Sequence, residues 1–182
     1  PNDQDLILPW RKLHEENTRR RNYWWHVVSK QLSENYSILY HEDLALAFMN
    51  SGDIKSVRKD SYDAGFGLLP GFLSYKMPGR SHKVNPYNTS KMCCQCGNIH
   101  NELGANKIYE CPKCGIIIDR DLNASINILK FGLYEQCETD EERLIYMDNQ
   151  YLQCVKRNKR DYKKKVKESL LTKETSDEHC GG

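Results

Sequence analysis

The fold is decided by two stretches of sequence, Cys93-Cys94-Gln95-Cys96-Gly97 and Cys111-Pro112-Lys113-Cys114-Gly115, with fourteen residues between Cys96 and Cys111. Each Cys-x-x-Cys pair is followed by a glycine, which supplies the positive φ of a tight turn whose two sulfurs point at one ion. Two such knuckles complete a tetrahedral four-thiolate zinc site of the zinc-ribbon kind. A disulfide or a redox Cys-x-x-Cys is the alternative, but two matched knuckles exceed what either needs.

A site with four cysteine ligands is closed, so the predicted zinc is structural and not catalytic. Hydrophobic residues between the knuckles predict two short hairpin strands that contain Ile99, Leu103, Ile108 and Tyr109. His100 lies in the same loop and could replace a cysteine, although the spacing does not require it. The remaining cysteines are interpreted as free thiols outside the site: Cys94, Cys137, Cys154 and Cys180.

The composition excludes two classes of protein. Of 182 residues, 38% are hydrophobic and 10% aromatic, and the formal net charge is +2. No run approaches the ~18 uncharged apolar residues of a membrane span, and the aromatic content is too high for an extended disordered chain. No secretory signal opens the sequence, and five of the eight cysteines fall within 22 residues. These features favour a reducing intracellular compartment (cytoplasm, nucleoid or nucleus), in which clustered cysteines usually hold metal.

Hydrophobic periodicity predicts the elements before the knuckles. Residues 11–34 read as a helix whose apolar stripe is Leu13, Tyr23, Trp24, Val27, Val28 and Leu32. Residues 36–41 predict a buried strand that runs into Glu42 and Asp43. Residues 54–69 predict a helix that Pro70-Gly71 breaks or kinks, and residues 81–87 predict an extended piece that leads into the first knuckle.

After the second knuckle, residues 116–118 predict a strand that ends at Asp119. An amphipathic helix follows and should stop near Gly132, with an apolar face of Leu122, Ile126, Leu129 and Leu133. The last third changes in charge, since residues 134–148 carry six acids and residues 155–167 carry eight basic residues. This tail is predicted to be a solvated helix or disordered. The alternative is that its basic run, with Tyr162 inside it, helps to hold nucleic acid.

Two acidic positions predict a possible catalytic site. Glu42 ends the apolar strand, while Asp121, with Asp119 beside it, stands at the start of the helix after the second knuckle. Carboxylates in such places can hold two Mg²⁺ ions, which activate water and stabilise the leaving oxygen in phosphodiester cleavage. Asp121 is also a natural N-cap, and acids are common at strand ends, so a purely structural role stays open.

The motifs from Asn88 to Leu129 resemble the C-terminal signature of the TnpB/OrfB proteins of insertion sequences, which are related to miniature type V CRISPR effectors. Three stretches show this resemblance: Asn88-Thr-Ser-Lys-Met-Cys93-Cys-Gln-Cys96-Gly, Tyr109-Glu-Cys111-Pro-Lys-Cys114-Gly and Asp119-Arg-Asp-Leu-Asn-Ala-Ser-Ile-Asn-Ile-Leu129. Upstream, His41-Glu42-Asp43-Leu44 with Met49 resembles the second RuvC motif of the family. Asp63-Ala-Gly-Phe-Gly and Leu73-Ser-Tyr-Lys76 resemble its segment before the ribbon.

The resemblance implies an α/β fold, namely a partial RNase H-like (RuvC) domain with an inserted four-cysteine zinc ribbon and a charged C-terminal tail. On this basis residues 1–87 form the C-terminal portion of the nuclease domain and 88–118 the ribbon. Residues 119–133 form the last acidic motif with its helix, and 134–182 form the tail. The family implies an RNA-guided DNA endonuclease (transposase) that binds DNA and, in a full-length protein, a guide RNA.

Carried over residue by residue, the resemblance makes Glu42 the second catalytic carboxylate and Asp121 the third, with Asp119 in reserve. These residues would bind Mg²⁺. The zinc ligands become Cys93, Cys96, Cys111 and Cys114. Supporting roles fall to Arg120 near phosphate, to Asn123 in ordering the turn, and to Thr89 and Ser90 beside the ribbon.

One departure from the family limits the predicted activity. The first RuvC motif, Asp-x-Gly, does not occur before Glu42, and Asp63-Ala64-Gly65 comes too late in the sequence to replace it. A metal site that lacks one of three carboxylates binds cations weakly, so we expect DNA binding with weak or no cleavage, and a missing N-terminal half. The alternative is a non-catalytic zinc-ribbon module that binds nucleic acid and derives from the same family.

Overall fold

The structure is a computed structural model that describes residues 3–43, 65, 67–104 and 106–177. The chain forms two compact units, Pro1–Lys83 and Val84–Gly182, and each is described by itself. Helices are mixed with two small two-stranded sheets, in agreement with the predicted mixed fold class. No helix among the described residues is both long and apolar enough to cross a membrane.

The first unit is built on one long helix. Helix α1 covers Asp3–Asn35, strand β1 Leu39–Glu42, helix α2 Leu68–Lys76 and strand β2 Ser81–Val84. Strand β1 pairs with β2. These bounds confirm the predicted helix 11–34 and the first part of the predicted extended piece 81–87. The predicted buried strand 36–41 is found at 39–42, where its residues are half-buried. Most of the predicted helix 54–69, with Met49 and Asp63-Ala64, lies outside the described residues.

The predicted apolar stripe of α1 is wrong in part. Leu13, Tyr23 and Trp24 are exposed, whereas the buried positions are Trp25 and Ser29. The physical reason is that α2 packs on this other face. Lys76 Nζ donates hydrogen bonds to the His26 carbonyl and to Ser29 Oγ, each at 2.7 Å.

The effect predicted for Pro70 is also wrong. Pro70 stands in the first turn of α2, which begins at Leu68 and ends at Lys76. A proline is tolerated in a first turn, because the N–H that it lacks would have no partner within the helix. Pro70-Gly71 therefore belongs to the start of a helix, where the sequence had predicted its end.

The second unit contains both knuckles and three helices. An isolated antiparallel bridge joins Met92 to Ile99. Strand β3, Ile108–Glu110, pairs antiparallel with β4, Ile117–Asp119, so that Tyr109 lies opposite Ile118. Helix α3 covers Arg120–Gln136, α4 covers Asp140–Arg143, and α5 covers Asn149–Asp177. Of the two strands predicted between the knuckles, the one with Ile108 and Tyr109 is confirmed, and the other is reduced to the bridge at Ile99.

Helix α3 differs from its prediction in length and in its buried face. It continues past Gly132 to Gln136, and the Cys137 N–H closes it by donating to the Leu133 carbonyl. Leu122 and Leu129 are 52% and 49% exposed. The buried positions of the helix are instead Asn123, Asn127, Phe131 and Gly132. Gly132 does not end the helix, since it is packed inside the unit.

The charged tail is helical, and its first half is packed. Helix α4 starts with a capping box in which Thr139 Oγ1 accepts from the Glu142 N–H. Helix α5 buries one face of four residues: Tyr151, Leu152, Val155 and Asn158. Of the two predicted states, the helical one is found, but as a packed helix rather than a solvated one.

Candidate metal centre

The four predicted ligands lie together. One sulfur from each of Cys93, Cys96, Cys111 and Cys114 lies within 4.8 Å of all the others. The Cys93–Cys114 and Cys96–Cys111 Sγ atoms are each 3.6 Å apart. A zinc ion with Zn–S bonds of about 2.3 Å requires tetrahedral edges of about 3.8 Å, whereas a disulfide requires about 2.05 Å. The separations therefore fit four thiolates around one zinc ion and do not fit a disulfide.

Both knuckles have the same backbone turn. The Gly97 N–H donates to the Cys93 carbonyl and the Gly115 N–H to the Cys111 carbonyl, each at 2.9 Å. The φ angles of Gly97 and Gly115 are 69° and 72°, in the left-handed region that favours glycine. The predicted role of the two glycines is confirmed.

The protein shifts the pKa values of Cys93, Cys96 and Cys111 in different directions. Burial raises the pKa of Cys93 far above its usual value and also raises that of Cys96. Burial acts in the same sense on Cys111, but the backbone N–H groups of Cys114 and Lys113 outweigh it and lower its pKa to about 7. A bound dication would stabilise all four thiolates, so the donor set is chemically suited to zinc.

Neither of the nearby alternatives joins the cluster. Cys94 is 6% exposed but is not one of the four clustered thiols. His100, which could have replaced a cysteine, places its ring edge-on to Tyr109 with a centroid distance of 6.1 Å. Within the described residues, the candidate cluster consists of the four cysteines alone.

Two buried asparagines of α3 hold the segment around the first knuckle. Asn123 Nδ2 donates to the Met92 carbonyl at 2.8 Å, and Asn123 Oδ1 accepts from the Cys94 N–H at 2.9 Å. Asn127 Nδ2 donates to the Thr89 and Met92 carbonyls at 2.7 and 2.6 Å. The two amides thus bond the backbone before and inside the knuckle, where strand pairing amounts to one bridge. Sequence analysis missed Asn127, although its spacing of four residues from Asn123 was visible.

Helix α5 covers the same knuckle from another side. Gln150 Nε2 donates to the Cys96 carbonyl at 3.0 Å, and Tyr151 OH donates to Asn127 Oδ1 at 2.5 Å. A Cβ atom on Gly97 would lie 2.6 Å from Cys154 Cβ. The tail is therefore part of the surroundings of the metal site, which sequence analysis did not predict.

The end of α5's packed face also reaches the segment before the knuckle. Asn158 Nδ2 donates to the Tyr87 carbonyl at 2.9 Å, and Asn158 Oδ1 accepts from Asn88 Nδ2 at 2.8 Å. Asn88 has a φ of 64°, a conformation that asparagine tolerates better than most residues. The available signal was the spacing of Tyr151, Val155 and Asn158, which lie on one helical face.

The carboxylates divide into two roles. Asp119 is the N-cap of α3, because its carboxylate accepts from the Asp121 and Leu122 N–H groups at 2.9 and 3.0 Å. The capping role that the sequence suggested for Asp121 thus belongs to Asp119, and the Asp121 side chain is exposed. Glu42 ends β1 in the first unit and is half-buried. Its pairing with Asp121 around magnesium stays a prediction.

The supporting residues are found in local roles. Arg120 Nη1 donates to the Gly104 carbonyl at 3.2 Å, and its predicted phosphate contact stays a prediction. Thr89 is 3% exposed, and its Oγ1 donates to the Pro86 carbonyl at 3.1 Å. Asn123 orders the turn as the resemblance implied, through the two hydrogen bonds given above.

The sequence resembles known proteins in the region of the metal site. A family model described as the TNB domain of Cas12f1-like proteins matches residues 66–128, which contain all four cysteines. A TnpB-like protein of Acanthamoeba polyphaga mimivirus is 52% identical over 61 residues, which are 34% of this chain and 12% of the relative. A candidate transposase of Paramecium bursaria Chlorella virus 1 is 51% identical over 127 residues, 65% of this chain and 28% of the relative.

Two further similarities extend this result. A candidate RNA-guided DNA endonuclease of Streptomyces pristinaespiralis is 33% identical over 127 residues, 67% of this chain and 31% of the relative. A solved cryo-EM structure, a Cas12f1–sgRNA–target DNA complex, matches with a TM-score of 0.53 and 20% identity, over 69% of this chain and 38% of that chain. The second similarity concerns the fold alone. The chain spans between 12% and 31% of the length of the three relatives named above.

The chain therefore has a cluster of four thiols that could hold a metal ion, within a region similar to the TNB domain of Cas12f1-like proteins. The resemblance to the TnpB/OrfB family seen in the sequence is thus confirmed over the portion that the alignments cover.

Proposed function

We propose that this chain is the DNA-binding, C-terminal part of a transposon-encoded, RuvC-like, RNA-guided DNA endonuclease, with structural zinc on its four clustered cysteines. The proposal rests on one observation, made in a chain that resembles this family: hydrogen bonds join the first knuckle to α3. Asn123 bonds the first knuckle, and Asp121 stands two residues earlier on the same helix. The metal site would thus position the helix that bears the proposed catalytic carboxylate.

Zinc would be held by Cys93, Cys96, Cys111 and Cys114, and the closed donor set makes its role structural. Such a site contributes on the order of 10 kcal/mol to folding. Zinc would support a segment with little regular structure of its own: among its described residues between Met92 and Asp119, one isolated bridge and two strands of three residues each.

Glu42 and Asp121 would hold magnesium, which supplies an activated water and neutralises the leaving oxygen in phosphodiester cleavage. Asp119 is engaged as the N-cap and is therefore a weaker candidate than Asp121. The sequence contains no Asp-x-Gly before Glu42, so one carboxylate of the family's set has no counterpart here. We therefore propose that these 182 residues bind DNA and cleave it weakly or not at all.

A second candidate function is a non-catalytic module that binds nucleic acid through the same four-cysteine domain. The observation in its favour is that the knuckles, α3 and α5 form one compact unit, Val84–Gly182, with its own buried hydrogen bonds. This unit contains Asp121 but not Glu42. An Asp-x-Gly strand encoded upstream of Pro1 would favour the nuclease, and a stop codon in that frame would favour the module.

The proposal is tested with the purified full chain. We expect one equivalent of zinc per chain by elemental analysis, retardation of a labelled DNA duplex, and little cleavage with Mg²⁺ or Mn²⁺, with or without guide RNA. Absence of zinc contradicts the metal assignment, and absence of DNA binding contradicts both candidate functions. Cleavage that survives Glu42→Ala contradicts the assignment of Glu42.

A further inference from the structure

We propose that α5 carries a phosphate-binding surface for the backbone of a nucleic-acid duplex, which we call the basic stripe and define as Lys156, Arg160, Lys163 and Lys167. This inference rests on the proposed function, because it names the surface by which the chain would hold DNA. The stripe lies in the tail, after residue 128, where the family-model match ends.

The helix itself places the stripe on one side. Its positions are spaced by four, three and four residues, so the four side chains follow one face of an α-helix. At 1.5 Å per residue they extend over about 16 Å. Tyr151, Val155 and Asn158 lie buried on a different face. Packing therefore turns the stripe outward, and Arg160, Lys163 and Lys167 are exposed.

Beside the stripe, α5 and the end of α3 form an open groove of about 400 Å³, lined by Tyr134, Gln153, Lys156, Lys159, Arg160 and Lys163. The Tyr134 ring has Arg143 Cζ at 4.3 Å and Lys159 Nζ at 4.5 Å from its centroid. These cation–π contacts hold two additional positive charges next to the groove. The surface is thus concave, cationic and partly ordered before any ligand binds.

Intrachain ion pairs neutralise only part of this charge. Lys156 and Arg143 both pair with Asp140, and Lys159 pairs with Glu135. Arg160, Lys163 and Lys167 have no acidic partner among the residues that the structure describes. A helix face that serves only solubility usually mixes both signs, whereas residues 155–167 carry eight basic residues and one acid.

A duplex backbone is the partner that this surface fits. One strand of a duplex presents one negative charge per ~3.4 Å along the axis, so a stripe of about 16 Å faces about five phosphates. The α-helix repeats these charges at regular intervals along one face, and a duplex strand repeats its phosphates at regular intervals too. Lysine supplies point charges without base recognition, so we expect binding that depends on salt and not on sequence.

The test compares two triple variants of the full chain. Arg160→Gln/Lys163→Gln/Lys167→Gln removes three charges of the stripe that have no acidic partner. The matched control, Lys12→Gln/Lys30→Gln/Lys107→Gln, removes three exposed positive charges elsewhere. Fluorescence anisotropy measures binding to a DNA duplex of about 20 base pairs, and to one of its single strands, at several salt concentrations. Zinc content and thermal unfolding establish that each variant is folded.

For the stripe variant we expect an affinity more than tenfold lower, and a salt dependence reduced by about 0.9 in slope for each lost phosphate contact. The control should bind the duplex as the original chain does. If the folded stripe variant binds equally well while the original chain binds DNA, the stripe is rejected and the proposed function stands. If the original chain binds no DNA, both are rejected. A loss confined to the single strand overturns the assignment to a duplex.

Discussion

The two cysteine knuckles have the same turn but different surroundings. In each, a glycine N–H donates at 2.9 Å to the carbonyl of the first cysteine, with φ near 70°. Around the first knuckle, Cys93 is fully buried, and a Cβ on Gly97 would meet Cys154. At the second knuckle, Cys111 is also buried, but Cys114 is exposed where its counterpart Cys96 is half-buried. A Cβ on Gly115 would meet nothing within 4 Å. The turn therefore depends on the residues of each knuckle itself, whereas the burial of a knuckle depends on residues that are distant in the sequence.

This difference shows which forces hold each knuckle in place. The first is bonded by the amides of Asn123 and Asn127 and by Gln150, all supplied by helices that come later in the sequence. The second is held by its own short hairpin of β3 and β4. We therefore expect the metal to matter to both knuckles, and the helices to matter mainly to the first.

Loss of a ligand should have the largest effect, and it should be equal in the two knuckles. Cys93→Ser or Cys111→Ser is expected to release the zinc and to remove most of its contribution, on the order of 10 kcal/mol. Elemental analysis and thermal unfolding measure both effects. Cys94→Ser, which changes a neighbouring thiol outside the cluster, should keep its zinc. Retention of zinc by either ligand variant would contradict the four-thiolate site.

Acid should release the metal, because protons compete with it for the thiolates. Burial raises the pKa of Cys93, whereas N–H groups lower the pKa of Cys111 to about 7. As the pH falls, we expect Cys93 to be protonated before Cys111. The affinity of the cluster for zinc should therefore decrease from about pH 8 to pH 5. A chromogenic chelator measures the release. Affinity that stays constant over this range would exclude thiolate ligands.

Removal of the buried amide should damage the first knuckle. Asn127→Ala leaves the Thr89 and Met92 carbonyls and the Tyr151 hydroxyl without this partner, so we expect a loss of about 2–4 kcal/mol in the free energy of unfolding. Ser125→Ala is the matched control, since its hydroxyl is exposed on the same helix and donates to the Leu122 carbonyl. Denaturant unfolding measures the free energy of unfolding of both variants. Similar losses would contradict a specific role of the Asn127 amide at the first knuckle.

Replacement of glycine by alanine should destabilise the two knuckles to different degrees. Gly97→Ala combines the cost of a left-handed backbone, about 1–2 kcal/mol, with a clash against Cys154. Gly115→Ala carries only the backbone cost, because the space around it is open. We therefore expect Gly97→Ala to lower the unfolding temperature more than Gly115→Ala. Equal decreases would mean that α5 does not press on the first knuckle.

The smallest effect concerns one hydrogen bond at the surface. Gln150→Ala removes the donor to the Cys96 carbonyl and should cost about 0.5–1.5 kcal/mol, without loss of zinc. The matched control is Gln153→Ala, because Gln153 is on the same helix but lines the open groove beside the basic stripe. It should change the stability less, as measured by denaturant unfolding. A larger loss of stability for Gln153→Ala than for Gln150→Ala would contradict the role of Gln150 at the first knuckle.

Local patterns explain what could be predicted from the sequence. The Cys-x-x-Cys-Gly spacing defines a turn within five residues, so the ligands and the glycine conformation were predictable. The buried face of α3 was not, because Asn123 and Asn127 become favourable inside only when they meet the Met92 carbonyl. Propensity counts an asparagine as a surface residue, and Leu122 and Leu129 as buried.

Distant packing explains the other failures. The basic residues of α5 dominate its composition and hide the face of Tyr151, Val155 and Asn158 that packs in the second unit. Pro70 was read as a helix end because the sequence pattern does not show on which side of a proline the helix lies. The pairing of Glu42 with Asp121 has no local signal at all and rests on the resemblance to the family.

The cover that α5 places over the first knuckle has a consequence for the timing of metal uptake. During synthesis, all four cysteines exist before Asn158 is added, which leaves a few seconds at about 5–20 residues per second. In that interval an ion can enter from the side that α5 later closes. Once the helix has closed, Cys114 is the one exposed thiol of the four. Uptake of the proposed zinc would therefore be easier before α5 has folded than afterwards.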